Sequence, residues 1–398
     1  MAGPLPVGVA PPRSGAVPAQ ARAELGAAAF GVYVHVPFCV RRCGYCAFVT
    51  YTAAELGGGG HRAGFVASAQ AELALAGRLL GRRPAETVFF GGGTPTLLTP
   101  GELAALLGAV EEHLGLAPDA EITVEANPDS VDAEGLAALR AAGFTRVSFG
   151  MQSVRPHVLA ALDRTHAPGR AQEAAGEALA AGFEHVNLDL IYGAPGETDQ
   201  DWLASLEAVI AAGVDHVSAY ALSVEPGSKL AARVRRGAEG PDDDVEARRY
   251  EAADAALGAA GFGWYELSNW ARTPAARCRH NLGYWRNANW WGVGPGAHSH
   301  VGGVRWWNAA HPGPWAARLA AGESPAVGRE ELTAAQRQVE RILLGVRLAE
   351  GLPAAELPPA AVARACEEGL AETTGGRLVA TLAGRRLADH LALLLVGG

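Results

Sequence analysis

Tyr33-Val-His-Val-Pro-Phe-Cys39-Val-Arg-Arg-Cys43-Gly-Tyr-Cys46 runs a short apolar strand directly into three cysteines spaced C-x3-C-x2-C. Three thiolates gathered on one loop form a soft, anionic donor set, suited to zinc or to an iron-sulfur cluster. A four-iron cubane held by three protein thiolates keeps one iron open to a ligand that is not protein. The zinc alternative needs a fourth ligand, His35 or Cys278, because the chain has no second paired C-x2-C.

Outward from that loop, short β-branched or aromatic runs alternate with Ala/Leu-rich stretches of helical period. The strands read as Gly31 to Val36, Thr87 to Phe90, Glu121 to Ala126, Arg146 to Gly150, Val186 to Tyr192 and Val217 to Ser223. Helices are expected at about His61 to Leu80, Pro100 to Leu114, Asp132 to Ala142, Gly169 to Ala181 and Asp199 to Ala212. This alternation predicts an α/β fold with a parallel sheet wrapped by helices, either closing toward a barrel or opening as a doubly wound sheet. In both, a ligand site lies beyond the carboxyl ends of the strands.

The polar motifs fall at those ends. Gly91-Gly-Gly-Thr-Pro-Thr96 follows the second strand, and consecutive glycines let backbone groups approach a ligand closely. Glu125 ends the third strand, the fourth runs into Gln152 with Arg164 on the next connection, and Asp189 interrupts the apolar fifth strand. A buried acid of that kind needs a partner.

With Tyr33-x-His-x-Pro-Phe-Cys39 and Phe90-Gly-Gly-Gly-Thr-Pro-Thr96, the chain resembles the radical S-adenosylmethionine (SAM) superfamily from about Phe30 onward. Glu125-Ala-Asn-Pro-Asp129, Phe149-Gly-Met-Gln-Ser153 and Asp189-Leu-Ile-Tyr-Gly-Ala-Pro-Gly-Glu197 narrow the resemblance to the oxygen-independent coproporphyrinogen III oxidase family. It implies a partial (β/α)6 barrel and a [4Fe-4S] cluster on Cys39, Cys43 and Cys46. It also implies SAM contacts from Tyr33, Tyr45, Gly92, Gly93, Thr94, Glu125, Gln152, Arg164, Asp189 and Ala221, with Arg164 as a bidentate partner of the cofactor carboxylate. The oxidases resemble C-x3-C-x2-C-x-C, whereas Phe48 stands at the last position here. That departure, with His280-Asn-Leu-Gly-Tyr-Trp285, resembles instead the heme-chaperone sister group, HemW. The resemblance implies heme as ligand, an acceptor hemoprotein such as a membrane respiratory enzyme as partner, and no oxidase activity; the alternative is radical decarboxylation of coproporphyrinogen III in heme biosynthesis.

Eight of the nine tryptophans lie between Trp264 and Trp315, together with His280, His298, His300 and His311. Such a segment suits a flat aromatic ligand, with His280 as candidate axial ligand of heme iron and Cys278 beside it; core packing is the alternative use. From Glu331 the order helix, Gly/Pro break, helix, Gly375-Gly376 turn with a strand, helix resembles a small winged-helix-like domain. Its eight acids against seven arginines exclude a basic DNA-reading surface. The expected divisions are a disordered Pro/Ala-rich extension at 1–28, the barrel core at 29–262, the aromatic and Gly-rich segment at 263–330 and the C-terminal domain at 331–398. A net charge of -9 argues against nucleic acid as partner, and no apolar run is long enough to span a bilayer. Five cysteines without a disulfide framework suit a reducing cytoplasm.

Overall fold

The computed structural model describes residues 8–26, 28–57 and 60–397. After α1 (Ala19–Glu24) come β1 (Phe30–Val36), α2 (Gly60–Ala63), α3 (Phe65–Leu80), β2 (Ala85–Gly92), α4 (Pro100–His113) and β3 (Leu116–Ala126). Then follow α5 (Ala133–Ala141), β4 (Arg146–Gln152), α6 (Pro156–Ala161), α7 (Arg170–Ala180), β5 (His185–Tyr192), α8 (Asp199–Ala211) and β6 (His216–Ala221). All six strands read from the sequence are present, parallel and in chain order: Gly31 pairs with Thr87, Val124 with Val147 and Leu188 with Val217. Every residue of β4 is buried, as strands covered on both faces require. Local chemistry starts the helices. Thr99 and Glu102 form a capping box with Pro100 at the first position, and Thr198 and Asp201 form another. Gly64 divides the helix expected from His61 to Leu80, and the six residues of α6 are too few to show a helical period.

Beyond β6, α9 (Lys229–Arg235) and α10 (Asp243–Ala259) lead to β7 (Gly263–Glu266) and β8 (Asn269–Ala271), which add antiparallel to one edge. The chain then crosses through α11 (Arg279–Trp285) to β9 (Asn289–Val293), which pairs parallel with β1 on the other edge. There β10 (His298–Val301), β11 (Val304–Asn308), α12 (Pro312–Ala320) and β12 (Ala326–Glu331) complete a twelve-stranded sheet. The aromatic segment therefore shares the core of the barrel. Trp270, Trp291, Trp306, Trp307 and Trp315 are buried, with Trp291 edge-on to Trp306 at 5.0 Å and Trp315 against Phe65 at 5.5 Å. The rings serve the packing alternative: Trp291, Trp306 and Trp315 pack between the added strands and α3, while Trp270 packs against Tyr250 of α10 at the other edge. Glu72 on α3, fully buried, ties the addition down by accepting from Gly294 N (2.9 Å), Asn308 Nδ2 (2.7 Å) and Trp315 Nε1 (2.8 Å).

The expected disordered extension is corrected. Val9 and Arg329 exchange backbone hydrogen bonds of 2.8 and 2.9 Å on the outer edge of β12, and Val17, Ala21 and Leu25 are buried. Sparse apolar residues suffice because an open strand edge and a preformed groove receive them; residues 1–7 and 27 of that extension lie outside the described residues. At the other terminus, α13 (Ala334–Gly345), β13 (Leu352–Pro353), α14 (Pro359–Glu367), β14 (Ala371–Thr374), β15 (Arg377–Ala380), α15 (Leu382–Arg386) and α16 (Ala388–Val396) surround their own core of Ile342, Leu378, Leu391 and Leu395. Arg385 fastens this unit to α10 through both oxygens of Asp254, at 2.8 and 2.7 Å. No helix among the described residues is long and apolar enough to cross a membrane.

Candidate cofactor-binding site

The loop after β1 is held as a turn by its own backbone. Cys39 N donates to Tyr51 O (3.0 Å), Tyr51 N to Pro37 O (2.7 Å) and Cys46 N to Cys43 O (3.2 Å). All three thiols are free and half-buried, and they face a cavity of about 450 Å³ beyond the carboxyl ends of β1 to β6. Tyr45, Gly92, Gly93, Thr94, Glu125, Gln152, Arg164, Asp189 and Ala221 line the same cavity. Residues separated by up to 186 positions in sequence meet here, from Cys39 to Glu225. Burial pushes the Cys39 thiol up to about 11, and the neighbouring Cys46 and Cys43 charges add to the shift. Thiolates crowded in this way favour a cation between them.

The donor set fits a cluster better than zinc. His35 Nε2 donates to Val49 O (2.7 Å), so Nδ1 accepts from the Tyr33 hydroxyl (2.9 Å), and Cys278 lies buried with its sulfur 3.6 Å from Glu121 Oε1. Among the described residues no three His, Cys, Asp or Glu converge on one ion. A cubane spreads its thiolates over separate irons and needs no such convergence.

The glycines have a cause in the fold as well as in a ligand. A Cβ on Gly93 would stand 2.5 Å from Phe38 O and 2.9 Å from Cys39 Sγ. Gly92 has φ 111°, and a Cβ there would meet the His35 ring at 2.6 Å. Above them, Arg164 donates from Nη2 to Asn127 Oδ1 and Gly150 O, both 2.7 Å, and from Nη1 to Cys43 Sγ at 3.6 Å. Its Nε is buried without a partner, so the fork expected to hold a carboxylate is half engaged by protein. Gln152 takes a positive φ of 64° and leaves its buried Oε1 without a partner. Unmatched polar atoms of this kind facing a cavity await a ligand.

Two acids form the opposite wall. Asp189 accepts from Ser148 Oγ (2.9 Å) and Asn187 Nδ2 (2.8 Å), and burial pushes its pKa above the usual carboxylate range. Glu125 accepts from Gly92 N (3.1 Å); burial, then the Asp189 charge, pushes it up to about 8. Asn127, Ser148, Gly150 and Tyr220 also line the cavity and were missed in the sequence. Strand alternation could have found Asn127, two positions beyond Glu125, and Tyr220, whose partner Ile191 lies two positions beyond Asp189; the register shift after Gly150 breaks the pattern at Gln152.

Two expected residues lie elsewhere. Tyr33 does not line the cavity; its ring forms a three-ring cluster with Phe89 (6.2 Å) and His280 (6.3 Å). His280 belongs to α11, which crosses the amino ends of β1 to β3: its N–H (3.1 Å) and that of Arg279 (3.0 Å) donate to Glu121. Its ring is buried, with Nδ1 2.8 Å from Thr87 Oγ1 and Nε2 2.8 Å from the Tyr284 hydroxyl. Burial lowers it to about 4, so the ring is neutral and both nitrogens are engaged. As folded, both ring nitrogens face protein hydroxyls, and the residue lines a separate cavity of about 340 Å³ with Tyr284 and Trp290. Five residues of strand, about 17 Å, separate it from the cysteine loop.

The model of the radical SAM superfamily matches residues 33–209. The heme chaperone HemW of Mycobacterium tuberculosis is 56% identical over 372 residues, covering 92% of this chain and 95% of that protein. HemW of Escherichia coli is 37% identical over 270 residues, covering 68% and 70%. The solved structure of coproporphyrinogen III oxidase (HemN) from Escherichia coli, a radical SAM enzyme, aligns with a TM-score of 0.80 at 21% identity, covering 94% of this chain and 92% of that one. That last likeness concerns the fold. By the identity that runs along nearly its whole length, the chain belongs to the radical SAM superfamily and, within it, to the HemW family.

Proposed function

We propose that this protein is a heme chaperone that carries a [4Fe-4S] cluster and SAM, binds heme and passes it to an acceptor hemoprotein, such as a membrane respiratory enzyme, in the cytoplasm. The observation that carries the reading is the 56% identity with HemW across 95% of that relative, which includes the cysteine loop and the cavity wall. Phe48 supports it. Where an oxidase would place a further thiol, an apolar ring stands 59% exposed at the cavity mouth.

Cys39, Cys43 and Cys46 would hold three irons of the cluster and leave one without a protein ligand. When bound, the cluster supplies one electron and the cofactor a sulfonium that electron can cleave. The protein's part is positional and electrostatic. Gly92, Gly93 and Thr94 offer backbone and hydroxyl groups beside Cys39. The free Nε of Arg164 and the Gln152 amide meet polar ends, and Tyr45 and Ala221 bound the apolar side. Glu125 and Asp189 accept from hydroxyl or ammonium groups.

The test uses anaerobically reconstituted protein in two assays, heme titration by visible absorbance and turnover of coproporphyrinogen III with SAM and a reductant. Stoichiometric heme binding without product is the expected result. Protoporphyrinogen formation without heme affinity would make the chain an oxidase.

A further inference from the structure

A second cavity, about 430 Å³, lies on the outer side of the cysteine loop and shares Arg41, Cys43 and Cys46 with the first. Its cations are Arg41, Arg42 and Lys229, a local basic rim in a chain of net charge -9. The position of Lys229 relative to the loop is set by the fold, because Leu230 N donates to Gly44 O at 2.8 Å. Two acids face this rim and both are engaged: Asp163 with Arg41 at 2.8 Å, and Glu55 with Arg42 at 3.5 Å and with Thr52. Arg42 also donates to Thr50 O but leaves its buried Nε unmatched. No salt bridge pairs Lys229 with an acid among the described residues; its charge, after the Thr52 hydrogen bonds and Arg42, helps to hold the Glu55 carboxyl below the usual range. On the same loop, Val40 is 80% and Phe48 59% exposed, two of the largest exposures among bulky apolar side chains.

Three cations facing two acids, beside uncovered apolar side chains at the lip of the cluster loop, complement a flat apolar ring with carboxylates on one edge. We infer that the carboxylate side chains of a porphyrin dock in this cavity against Lys229 and the two arginines, with the ring lying over Val40 and Phe48. The inference rests on the heme-chaperone reading and places its cargo at the cysteine end of the barrel, away from His280.

Lys229 is the one lysine among 33 basic residues, which makes it a single-site reporter. Reconstituted full-length protein is acetylated with an amine-reactive ester, and peptide mass mapping separates Lys229 from the α-amino group. Heme slows acetylation of Lys229 at least about fivefold, the dimethyl ester of heme does not, and Lys229→Gln weakens heme binding about fivefold while abolishing the preference for heme over its ester. Cluster absorbance, read in the same samples, verifies the fold of the variant. Heme binding with unchanged acetylation, or equal protection by heme and its ester, overturns the inference and leaves the chaperone reading standing. Absence of heme binding to the unaltered protein overturns that reading itself. Protection by poly-glutamate but not by heme replaces the porphyrin with an acidic polypeptide.

Discussion

Glu125 gives the cofactor cavity a defined pH dependence. Its carboxyl is pushed up to about 8 by burial, with the Asp189 charge second and the Gly92 N–H opposing. At pH 7 the side chain is therefore mostly protonated, and an ammonium or sulfonium ligand beside it favours the ionised form. Binding below pH 8 must then release one proton. Affinity for SAM rises about tenfold per pH unit, or about 1.4 kcal/mol, so that about 30-fold accumulates between pH 6 and pH 7.5 before the curve flattens. The sign for the unliganded protein is opposite. A folded-state value raised from 4.5 contributes stability that is present below that value and lost as pH rises through about 8. Ligand binding offsets this loss. Glu125→Gln keeps an acceptor for the Gly92 N–H but has no proton to release, so its affinity is weaker and flat with pH. Titration calorimetry of reconstituted protein in buffers of different ionisation heat counts the protons. A pH-independent affinity in the unaltered protein, or an unchanged slope in the variant, would refute the argument.

Three further outcomes are expected. Cys43→Ala abolishes the brown iron-sulfur absorbance after reconstitution, and a variant that retained it would remove the cluster assignment. His280→Ala loses ring packing against Phe89 (5.2 Å) and Tyr284 (4.9 Å) with both ring hydrogen bonds, destabilising the fold by roughly 3 kcal/mol in denaturant unfolding. The heme spectrum should keep its form, and a shifted Soret band would return His280 to iron ligation. Glu72, raised to about 7 by burial, costs roughly 3 kcal/mol of stability as pH rises from 4.5 through 7; thermal melts of Glu72→Gln should lack that slope, and parallel slopes would place the titration elsewhere.

The six strands, their order and the cysteine loop were legible because each depends on local pattern: an apolar run of strand length, a capped helix, a C-x3-C-x2-C spacing. The cavity residues were legible through their positions at strand ends, and through the family resemblance. Other features depend on which distant segments meet. The Pro/Ala-rich start is ordered because β12 offers Val9 an edge, a fact absent from residues 8–26 themselves. The tryptophans mark bulk in any context, and only the return of β9 to β1 decides that the bulk is interior. His280 carries the same ring whether it ligates iron or packs against protein. Its neighbours Thr87 and Tyr284, the first 193 residues away, occupy both ring nitrogens in this fold. Sequence thus determined the elements and the chemistry they carry, while burial and hydrogen-bond partners, which are properties of the packed chain, decided which of those chemistries each residue is free to perform.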